Sequence, residues 1–156
     1  MDSQTHLIYL ATSPRIGIRL WHRRHDRRHI DHWPSYVPTL PAHWLASQPV
    51  SCGERFSYAV DLHHGSELVG RISLLIGDGA ARLGVALHPD HLGAGIGTEA
   101  LRLMRDVGQQ HGLSTLQLDV AAENVRAIRC YARSGFVAIG EMWRCGYCYH
   151  LMERSL

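Results

Sequence analysis

The chain has 156 residues, of which 46% are hydrophobic, and a formal net charge of +2. This length supports one folded domain with a sizeable core, and so small a charge gives no argument for a nucleic-acid partner. No run reaches the roughly 18 to 20 apolar residues of a membrane-spanning helix, and residues 1–14 lack the pattern of a secretory leader. We therefore expect one domain, residues 1–156, in the cytoplasm and without a membrane partner.

All 16 basic residues are arginine. Such a bias reflects genomic base composition, but it excludes catalysis by lysine. The four cysteines do not form the framework of a small disulfide-stabilised fold in a domain this long, so we expect reduced thiols. They are Cys52, Cys130, Cys145 and Cys148.

The first half of the chain predicts three strands and two helices. Ile16, Ile18 and Leu20 alternate as in a strand, and Thr39 and Pro41 mark a helix start. Gly77-Asp78-Gly79 predicts a hairpin turn before the next strand. The predicted elements are strand 16–21, helix 23–33 with Asp26 as N-cap, a short helix at about 40–48, and strands 55–62 and 67–76.

The second half alternates strands and helices. Gly112 and Gly135 end the two helices, and strands that alternate with helices imply a partly parallel sheet with helices on its faces. The fold class is therefore α/β (α+β). The predicted elements are strand 82–87, a helix that ends near Gln110, strand 114–120, helix 124–133, and strands 136–142 and 147–152.

A glycine-rich turn precedes the first of these helices and is the most informative segment. Glycines 93, 95 and 97 leave backbone N–H groups uncovered at the positive end of a helix, which is a surface suited to phosphate or pyrophosphate. Their spacing by twos does not fit the dinucleotide motif G-x-G-x-x-G, and the P-loop requires a lysine that this chain lacks. Both common nucleotide-binding motifs are therefore disfavoured.

Two blocks together resemble the GNAT superfamily of N-acetyltransferases. Val85-Ala86-Leu87-His88-Pro89 followed by Leu92-Gly93-Ala94-Gly95-Ile96-Gly97 looks like the coenzyme A pyrophosphate loop, and residues 124–136 are similar to the family's N-x-x-A-x-x-x-Y…G-F helix. With the strand between them they cover about a third of the chain. The resemblance implies a mixed, partly splayed sheet of six to seven strands with about four helices. It also implies acetyl-CoA as co-substrate and no metal.

The resemblance assigns coenzyme binding to one strand, the loop and one helix. The family usually carries Arg or Gln immediately before the first loop glycine, and this chain has Leu92, so we expect His91 or an arginine from elsewhere to compensate. Asn124 is either a helix N-cap or a contact to the coenzyme arm. The implied residues are Val85, Leu87, Leu92, Gly93, Ala94, Gly95, Ile96, Gly97, Thr98, Asn124, Ala127 and Tyr131.

The family's mechanism implies direct attack of a neutral amine on the thioester, in a gap between residues 85–87 and residues 118–120. The oxyanion requires a hydrogen-bond donor, and the resemblance makes Tyr131 the acid that protonates the leaving thiolate. A packed helix aromatic is the other interpretation of Tyr131. Histidine is a residue type suited to general base catalysis, which makes His88 one candidate, but histidine is a common filler there, so the base stays unassigned.

The acceptor side combines one acidic and several aromatic residues. Residues 119–136 especially resemble aminoglycoside 6'-N-acetyltransferases, in which the aspartate at this position helps to bind the antibiotic, so Asp119 is a predicted amine ligand. Those enzymes have a second acidic residue on the fourth strand, where this chain has Ala86 and its neighbours. A site for a polycation would therefore lack one of its carboxylates. Trp33 and Tyr36 predict an aromatic, partly basic acceptor cleft, and a solvated arginine-rich helix with core aromatics is the alternative.

Two metal-like patterns are not interpreted as metal sites. Four histidines fall on one helix face, but no carboxylate or cysteine joins them. Cys145 and Cys148 match C-x-x-C, but they lie in a predicted hairpin and have no second pair with that spacing. The histidines are His22, His25, His29 and His32.

Three functions follow as hypotheses. The first is an acetyl-CoA-dependent N-acetyltransferase that acts on a primary amine of a small molecule, such as an aminoglycoside-like amine. The second is a protein N-terminal acetyltransferase of the ribosomal-protein type, with an open groove around Tyr36 and Tyr147. The third is a coenzyme-A-binding domain without turnover. Dimers are common in the family, so a homodimer is one expectation for the oligomeric state.

Overall fold

One mixed sheet of eight strands dominates the computed structural model, which describes residues 7–31, 53–62, 67–77 and 81–156. The spatial strand order is β1-β2-β3-β4-β5-β6-β8-β7. The strands are β1 Tyr9–Thr12, β2 Ile16–Leu20, β3 Glu54–Leu62, β4 Glu67–Ile76, β5 Ala81–Leu87, β6 Thr115–Ala121, β7 Val137–Arg144 and β8 Tyr147–Ser155. The helices in the described residues are α1 Arg23–Ile30, α2 Ile96–Gln110 and α3 Val125–Arg133.

This architecture confirms the predicted fold class, with small differences in the elements. The sheet has one more strand than the six to seven expected, because β1, Tyr9–Thr12, was not predicted. Helix α1 ends at Ile30, three residues before the predicted end. The helix predicted at about 40–48 lies outside the described residues, as do Asp78 and Gly79 of the predicted turn.

Helix α2 packs against one face of the sheet and closes the core there. Alternate strand residues point to this face because side chains alternate along a strand, and α2 meets them with a stripe at helical spacing. The buried strand residues include Ile16, Ile18, Tyr58, Val60, Ile72, Leu74, Leu83, Leu116 and Leu118, and those of α2 are Ile96, Ala100, Leu101, Met104 and Val107.

The parallel contact between β5 and β6 is unusually short. Among the described residues only Ala81–Leu116 and Arg82–Gln117 are paired, whereas β5 pairs with β4 as far as Leu87. Strand β6 pairs with β8 along its whole length. The two strands therefore separate toward their carboxyl ends, and this is the splay that the resemblance implied.

A buried ionic network joins β1, β2, β3 and α1. The Arg19 guanidinium donates from Nε to Asp61 Oδ2 at 2.6 Å and from Nη1 to Asp26 Oδ2 at 2.8 Å. Arg19, Asp26 and Asp61 are 5%, 0% and 2% exposed. The Tyr9 hydroxyl donates to Asp61 Oδ2 at 3.1 Å, and burial together with the Asp61 charge raises the pKa of Tyr9 to about 12. The network fixes the start of α1 on the sheet face opposite α2.

The prediction of Asp26 as the N-cap of α1 is wrong. His22 is the cap, and its Nδ1 accepts a hydrogen bond from the His25 N–H at 3.2 Å. Asp26 lies one turn inside the helix, and its carboxylate accepts from the His22 N–H at 2.6 Å. The ion pair with Arg19 places Asp26 there, and such a partner cannot be inferred from local capping preferences.

Asp26 gives the fold a predictable acid sensitivity. Burial by itself raises its pKa, but hydrogen bonds from Arg19, His22 and His25 outweigh burial and lower the pKa to about 2, below the ordinary 3.8. Asp26 therefore stabilises the folded state above about pH 4, and this contribution is lost as the pH falls toward about 2.

We expect Asp26→Asn to lower the free energy of unfolding at pH 7 by about 3 kcal/mol, because the variant leaves a buried guanidinium underpaired.

Urea denaturation between pH 2 and pH 7 measures this effect, and the variant should show a flatter acid limb than the parent protein. Asp31→Asn is the matched control. Asp31 is the C-cap of the same helix, and its ion pair with Arg27 is exposed and as long as 3.8 Å. Its effect should stay within about 0.5 kcal/mol. Equal losses in the two variants would contradict the assignment.

Candidate active site

The loop between β5 and α2 forms an open cradle of backbone amides. Gly93 and Gly95 have φ angles of +79° and +82°, a conformation that side chains with a Cβ rarely adopt. Gly95 is the N-cap of α2, and residues 93–95 are exposed. Amides of the first helical turn therefore face solvent at the positive end of the helix, as an anion requires.

Gly97 allows α2 to approach both β5 and α3. A Cβ on Gly97 would lie 3.0 Å from Leu87 Cδ1 and 3.1 Å from Cys130 Sγ. The next residue continues the contact, with Thr98 Oγ1 3.4 Å from Cys130 Sγ. The two sequence blocks of the predicted site are therefore in direct contact, through the first turn of α2 and the middle of α3.

Leu92 does not face the cradle as an anion ligand would. Its side chain is partly buried and packs against the hydrophobic core, while its N–H donates to the Pro89 carbonyl at 3.2 Å. The backbone cradle does not depend on that side chain. The position that usually carries Arg or Gln in the family therefore contributes packing here.

Arg15, in the turn between β1 and β2, places a cation beside the cradle. Its Nη1 donates to the Ala94 carbonyl at 2.9 Å, and its Nη2 is 3.2 Å from the Cβ position of Gly95. Glu99, in the first turn of α2, holds the guanidinium through Nη2 at 2.5 Å. Arg15 is therefore a candidate for the compensating arginine, and its contact with a phosphate stays a prediction.

Glu99 is ionised in this arrangement. Burial raises its pKa, but hydrogen bonds from Ser13 and Arg15 and the Arg15 charge outweigh burial and lower the pKa. The Ser13 hydroxyl donates to Glu99 Oε1, so two residues of the β1–β2 turn contact one carboxylate on α2. This junction holds Arg15 in position and leaves its side chain 46% exposed.

The two histidines near the loop have structural partners. His91 Nε2 lies 3.1 Å from Glu67 Oε1, so Arg15 rather than His91 is the cation in contact with the glycine loop. His88 caps the short turn Pro89–His91, with Nδ1 accepting from the Asp90 N–H at 3.1 Å. This contact gives His88 a local role, and the general base stays unassigned.

Helix α3 presents the second predicted block. Asn124 is the N-cap, and its Oδ1 accepts from the Ala127 N–H at 3.2 Å, so the capping interpretation of Asn124 is correct. Ala127 and Tyr131 pack against the core. The Tyr131 ring lies 6.2 Å from the Phe136 ring in a T-shaped arrangement, which fixes the phenol while its neighbour Cys130 contacts the start of α2.

The predicted coenzyme strand lies on the opening between β5 and β6. Val85 is partly buried, Leu87 is 8% exposed, and both side chains pack into the core. Their backbone lies beyond Arg82, where the ladder to β6 has already stopped. This edge of β5 is therefore positioned to hydrogen-bond an extended ligand arm.

Asp119 lies at the opening, but it is already paired. Its Oδ2 is 3.3 Å from Arg82 Nη1 and 3.3 Å from Arg144 Nη2, and its side chain is 3% exposed. The predicted amine ligand therefore carries two guanidinium partners that the sequence analysis did not identify. The other predicted acceptor residues, Trp33 and Tyr36, lie outside the described residues.

The remaining patterns have structural explanations. The described part of the chain contains no group of three metal-ligating side chains, and His32 and Cys52 lie outside it. Cys145 and Gly146 form the two-residue turn between β7 and β8, with φ angles of +51° and +82°.

A membrane-spanning helix is not found among the helices of the described ranges, since none has the length and apolar character that a bilayer requires.

Comparisons with known proteins identify the same two blocks as part of a family domain. The sequence model of the Acetyltransferase (GNAT) family matches residues 18–136. The [Ribosomal protein bS18]-alanine N-acetyltransferase of Escherichia coli strain K12 is 31% identical over 84 residues, which is 54% of this chain and 57% of that protein. The chain thus matches little more than half the length of this curated relative.

Solved structures show the same fold at low identity. A chimera of spermidine N-acetyltransferase SpeG from Vibrio cholerae and hSSAT has a TM-score of 0.71 at 21% identity, and the match covers 90% of this chain and 95% of the other. AAC(6')-Ib in complex with paromomycin and acetyl-CoA has a TM-score of 0.70 at 22% identity, with coverage of 90% and 93%. A putative acetyltransferase from Sphaerobacter thermophilus has a TM-score of 0.69 at 21% identity, with coverage of 97% and 100%.

Asn124 variants separate capping from coenzyme binding. We expect Asn124→Ala to lower the free energy of unfolding by about 1 kcal/mol through loss of the cap, as measured by chemical denaturation. Asn124→Ser keeps a capping oxygen and should restore stability. If the amide also contacts the coenzyme arm, Asn124→Ser should bind acetyl-CoA more weakly in calorimetry despite normal stability. Parent-like affinity in Asn124→Ser would limit Asn124 to capping.

Proposed function

Because this chain belongs to the GNAT family of acetyltransferases, we propose that it transfers the acetyl group of acetyl-CoA to a primary amine. The family match agrees with the predicted class of enzyme, an N-acyltransferase. The observation that carries the proposal is the opening between β5 and β6 beside a glycine cradle. An extended thioester arm fits such an opening, and its diphosphate fits the cradle at its mouth.

The residues present fit the coenzyme. The amides of residues 93–98 would hold the pyrophosphate, and exposed Arg15 would add a charged donor beside them. The edge of β5 that faces the opening, at Val85 and Leu87, would hydrogen-bond the pantetheine arm, next to the N-cap Asn124 and to Ala127 and Tyr131 of α3. Bound there, acetyl-CoA supplies an activated acyl group.

Tyr131 is the proposed acid in this reaction. Direct attack by a neutral amine releases a thiolate, which requires a proton or a strong hydrogen bond. Two observations support this role: its neighbour Cys130 lies against Gly97 at the start of α2, and the Tyr131 ring packs on Phe136. The acetyl group thereby passes to nitrogen without a covalent enzyme intermediate, and the proton that the nitrogen loses passes to water, from which Tyr131 is reprotonated.

The acceptor that we propose is the primary amine of a small molecule, and an aminoglycoside-like amine is one example of this class to test. Its support is the motif resemblance at residues 119–136 and the fold shared with AAC(6')-Ib. The alternative is a protein N-terminus, which the 31% identity to the bS18-alanine N-acetyltransferase favours. Tyr147 of the predicted peptide groove is 51% exposed, as a peptide contact requires. The cytoplasmic location and the homodimer stay predictions.

The primary test is release of free thiol from acetyl-CoA in the presence of an amine panel that includes aminoglycosides, polyamines and short peptides. An N-acetyltransferase releases one thiol for each acetylated amine, and mass spectrometry of the product confirms the transfer. Tight coenzyme binding without acceptor-dependent thiol release would instead favour the binding domain without turnover.

Tyr131→Phe tests the acid directly. The variant keeps the ring that packs on Phe136 and removes only the hydroxyl, so we expect kcat to fall by about 100-fold, in the range for one general acid. Acetyl-CoA affinity, measured by calorimetry, should change less than threefold, or about 0.6 kcal/mol. Unchanged turnover would remove Tyr131 from the chemistry and leave it a packing residue.

Arg15→Gln tests the proposed contact to the diphosphate. We expect the KM for acetyl-CoA to rise by about tenfold, because one charge-assisted donor to phosphate is lost. The rate with S-acetylpantetheine, which lacks the diphosphate, should stay unchanged. Arg28→Gln, on the exposed surface of α1, is the control. Equal losses with both thioesters would show that Arg15 acts only by positioning the loop.

A further inference from the structure

Resting on the proposed acetyl transfer, we propose that the acceptor carries a carboxylate near its reactive amine and that Arg82 and Arg144 recognise it. Both guanidinium groups reach the opening between β5 and β6 and share one oxygen of Asp119, at 3.3 Å each. A guanidinium fork matches a carboxylate in charge and geometry. The acceptor is therefore an amine of the amino acid or acidic peptide kind.

The charge at this position is the first argument. Two arginines and one aspartate give the cluster a net charge of +1. Asp119 Oδ1 and Arg144 Nη1 are buried and make no hydrogen bond within the described residues. Arg144 Nη1 is an unused donor that suits a further anionic oxygen, as does the excess positive charge, whereas Asp119 Oδ1 is an acceptor and adds nothing to an anion site.

The position of the cluster in the sheet is the second argument. Asp119 lies two residues beyond Gln117, the last β6 residue paired with β5. Because side chains alternate, Arg82 and Asp119 lie on the sheet face opposite the buried Leu83 and Leu118. The side chains of Arg82 and Arg144 are 34% and 20% exposed. A ligand at the opening can therefore contact the arginines, while Asp119 is covered.

A second cleft, between α1 and strands β3 and β4 on the same face, is the third argument. It has a volume of about 410 Å³, and three arginines against one aspartate line it. Strand register places Arg71 on the face of Arg82. The Arg71 guanidinium stacks 4.9 Å from the Trp21 ring centroid and donates to Ser57 Oγ at 3.2 Å. The charged lining residues are Arg23, Arg27, Asp31 and Arg71.

A strongly cationic acceptor does not fit this surface. A polyamine or an aminoglycoside requires carboxylates that face it, but the acidic groups described on this face already have partners. Asp61 binds Arg19, and Asp119 binds two arginines. Asp31 lies 3.8 Å from Arg27, and Glu153 accepts from the neutral Gln117 amide at 2.8 Å. A polycation would instead approach Arg71 and Arg82 and meet like charge.

The test compares acceptors that differ in one group. 4-Aminobutanoate, its uncharged amide and 1,4-diaminobutane share the amine and the carbon chain. The dipeptides Ala-Asp and Ala-Asn, with amidated carboxyl termini, repeat the comparison at a peptide amine. With the full chain and acetyl-CoA, we expect kcat/KM for the carboxylate member of at least one set to exceed the others by about tenfold. The set that responds identifies a small molecule or a peptide as the source of the carboxylate.

Variants connect that preference to the cluster. Arg144→Gln should raise the KM for the carboxylate acceptor by about tenfold and leave both the amide acceptor and the KM for acetyl-CoA unchanged. Asp119→Asn should lower the KM for the carboxylate acceptor, since it frees both guanidinium groups. Arg28→Gln is the control for loss of an arginine. If Arg144→Gln does not fold, as judged by circular dichroism, Arg82→Gln replaces it.

The outcomes separate this inference from the proposed function. Transfer to the diamine or the uncharged amide at least as fast as to the carboxylate member in both sets would overturn the inference and leave the acetyltransferase intact. An equal loss with all acceptors in Arg144→Gln would reduce the cluster to a structural role and also overturn it. No transfer to any amine, including the wider panel, would overturn the proposed function and this inference together.

Discussion

The separation of β5 from β6 is the constraint on which the rest of the structure depends. Parallel strands normally continue their ladder, and unpaired backbone groups inside a sheet are unfavourable. Here each strand keeps its outer partner, β4 or β8, so the two halves of the sheet stay ordered while the gap between them stays open. The gap exposes the backbone of β5 for hydrogen bonding. Side chains from both faces of the sheet also meet at the gap.

The cradle at the mouth of the gap is assembled from distant parts of the chain. Its amides come from the start of α2, and Gly97 permits the close packing that sets α2 against β5 and α3. Its cation comes from the β1–β2 turn, through the contacts of Arg15 with Ala94 and Glu99. In the proposed coenzyme site, a chain without lysine therefore combines backbone dipoles with one guanidinium to bind an anion.

Local patterns in the sequence were sufficient for most of the fold. Strands β2 to β8 and helices α2 and α3 were predicted to within about three residues, because most of them have a buried face that repeats at its own period and glycines mark the ends of the helices. Strand β1 was missed because its four residues, Tyr9–Thr12, are too few to establish an alternation. Glycine spacing and the residue 124–136 block identified the loop and its helix, since both signals lie within short segments.

Contacts between charged residues were beyond the reach of local patterns. Arg15 and Ala94 are separated by 79 positions, and Asp119 is separated from Arg82 by 37 and from Arg144 by 25. Such pairs are set by strand register and by the path of the turns, neither of which leaves a periodic signal. The same cause explains Asp26, whose local pattern indicated a cap and whose partner is a buried arginine on β2.

Asp119 shows why a motif position does not by itself determine specificity. A carboxylate attracts an ammonium group only while its own charge is uncompensated, and a buried carboxylate requires a partner to offset its lost hydration. In this chain two guanidinium groups provide that partner. An incoming ammonium would have to displace one of them and then lie beside the other, whereas a carboxylate adds to both. The same residue that would select a cation in an acidic cleft therefore orients two arginines toward an anion here.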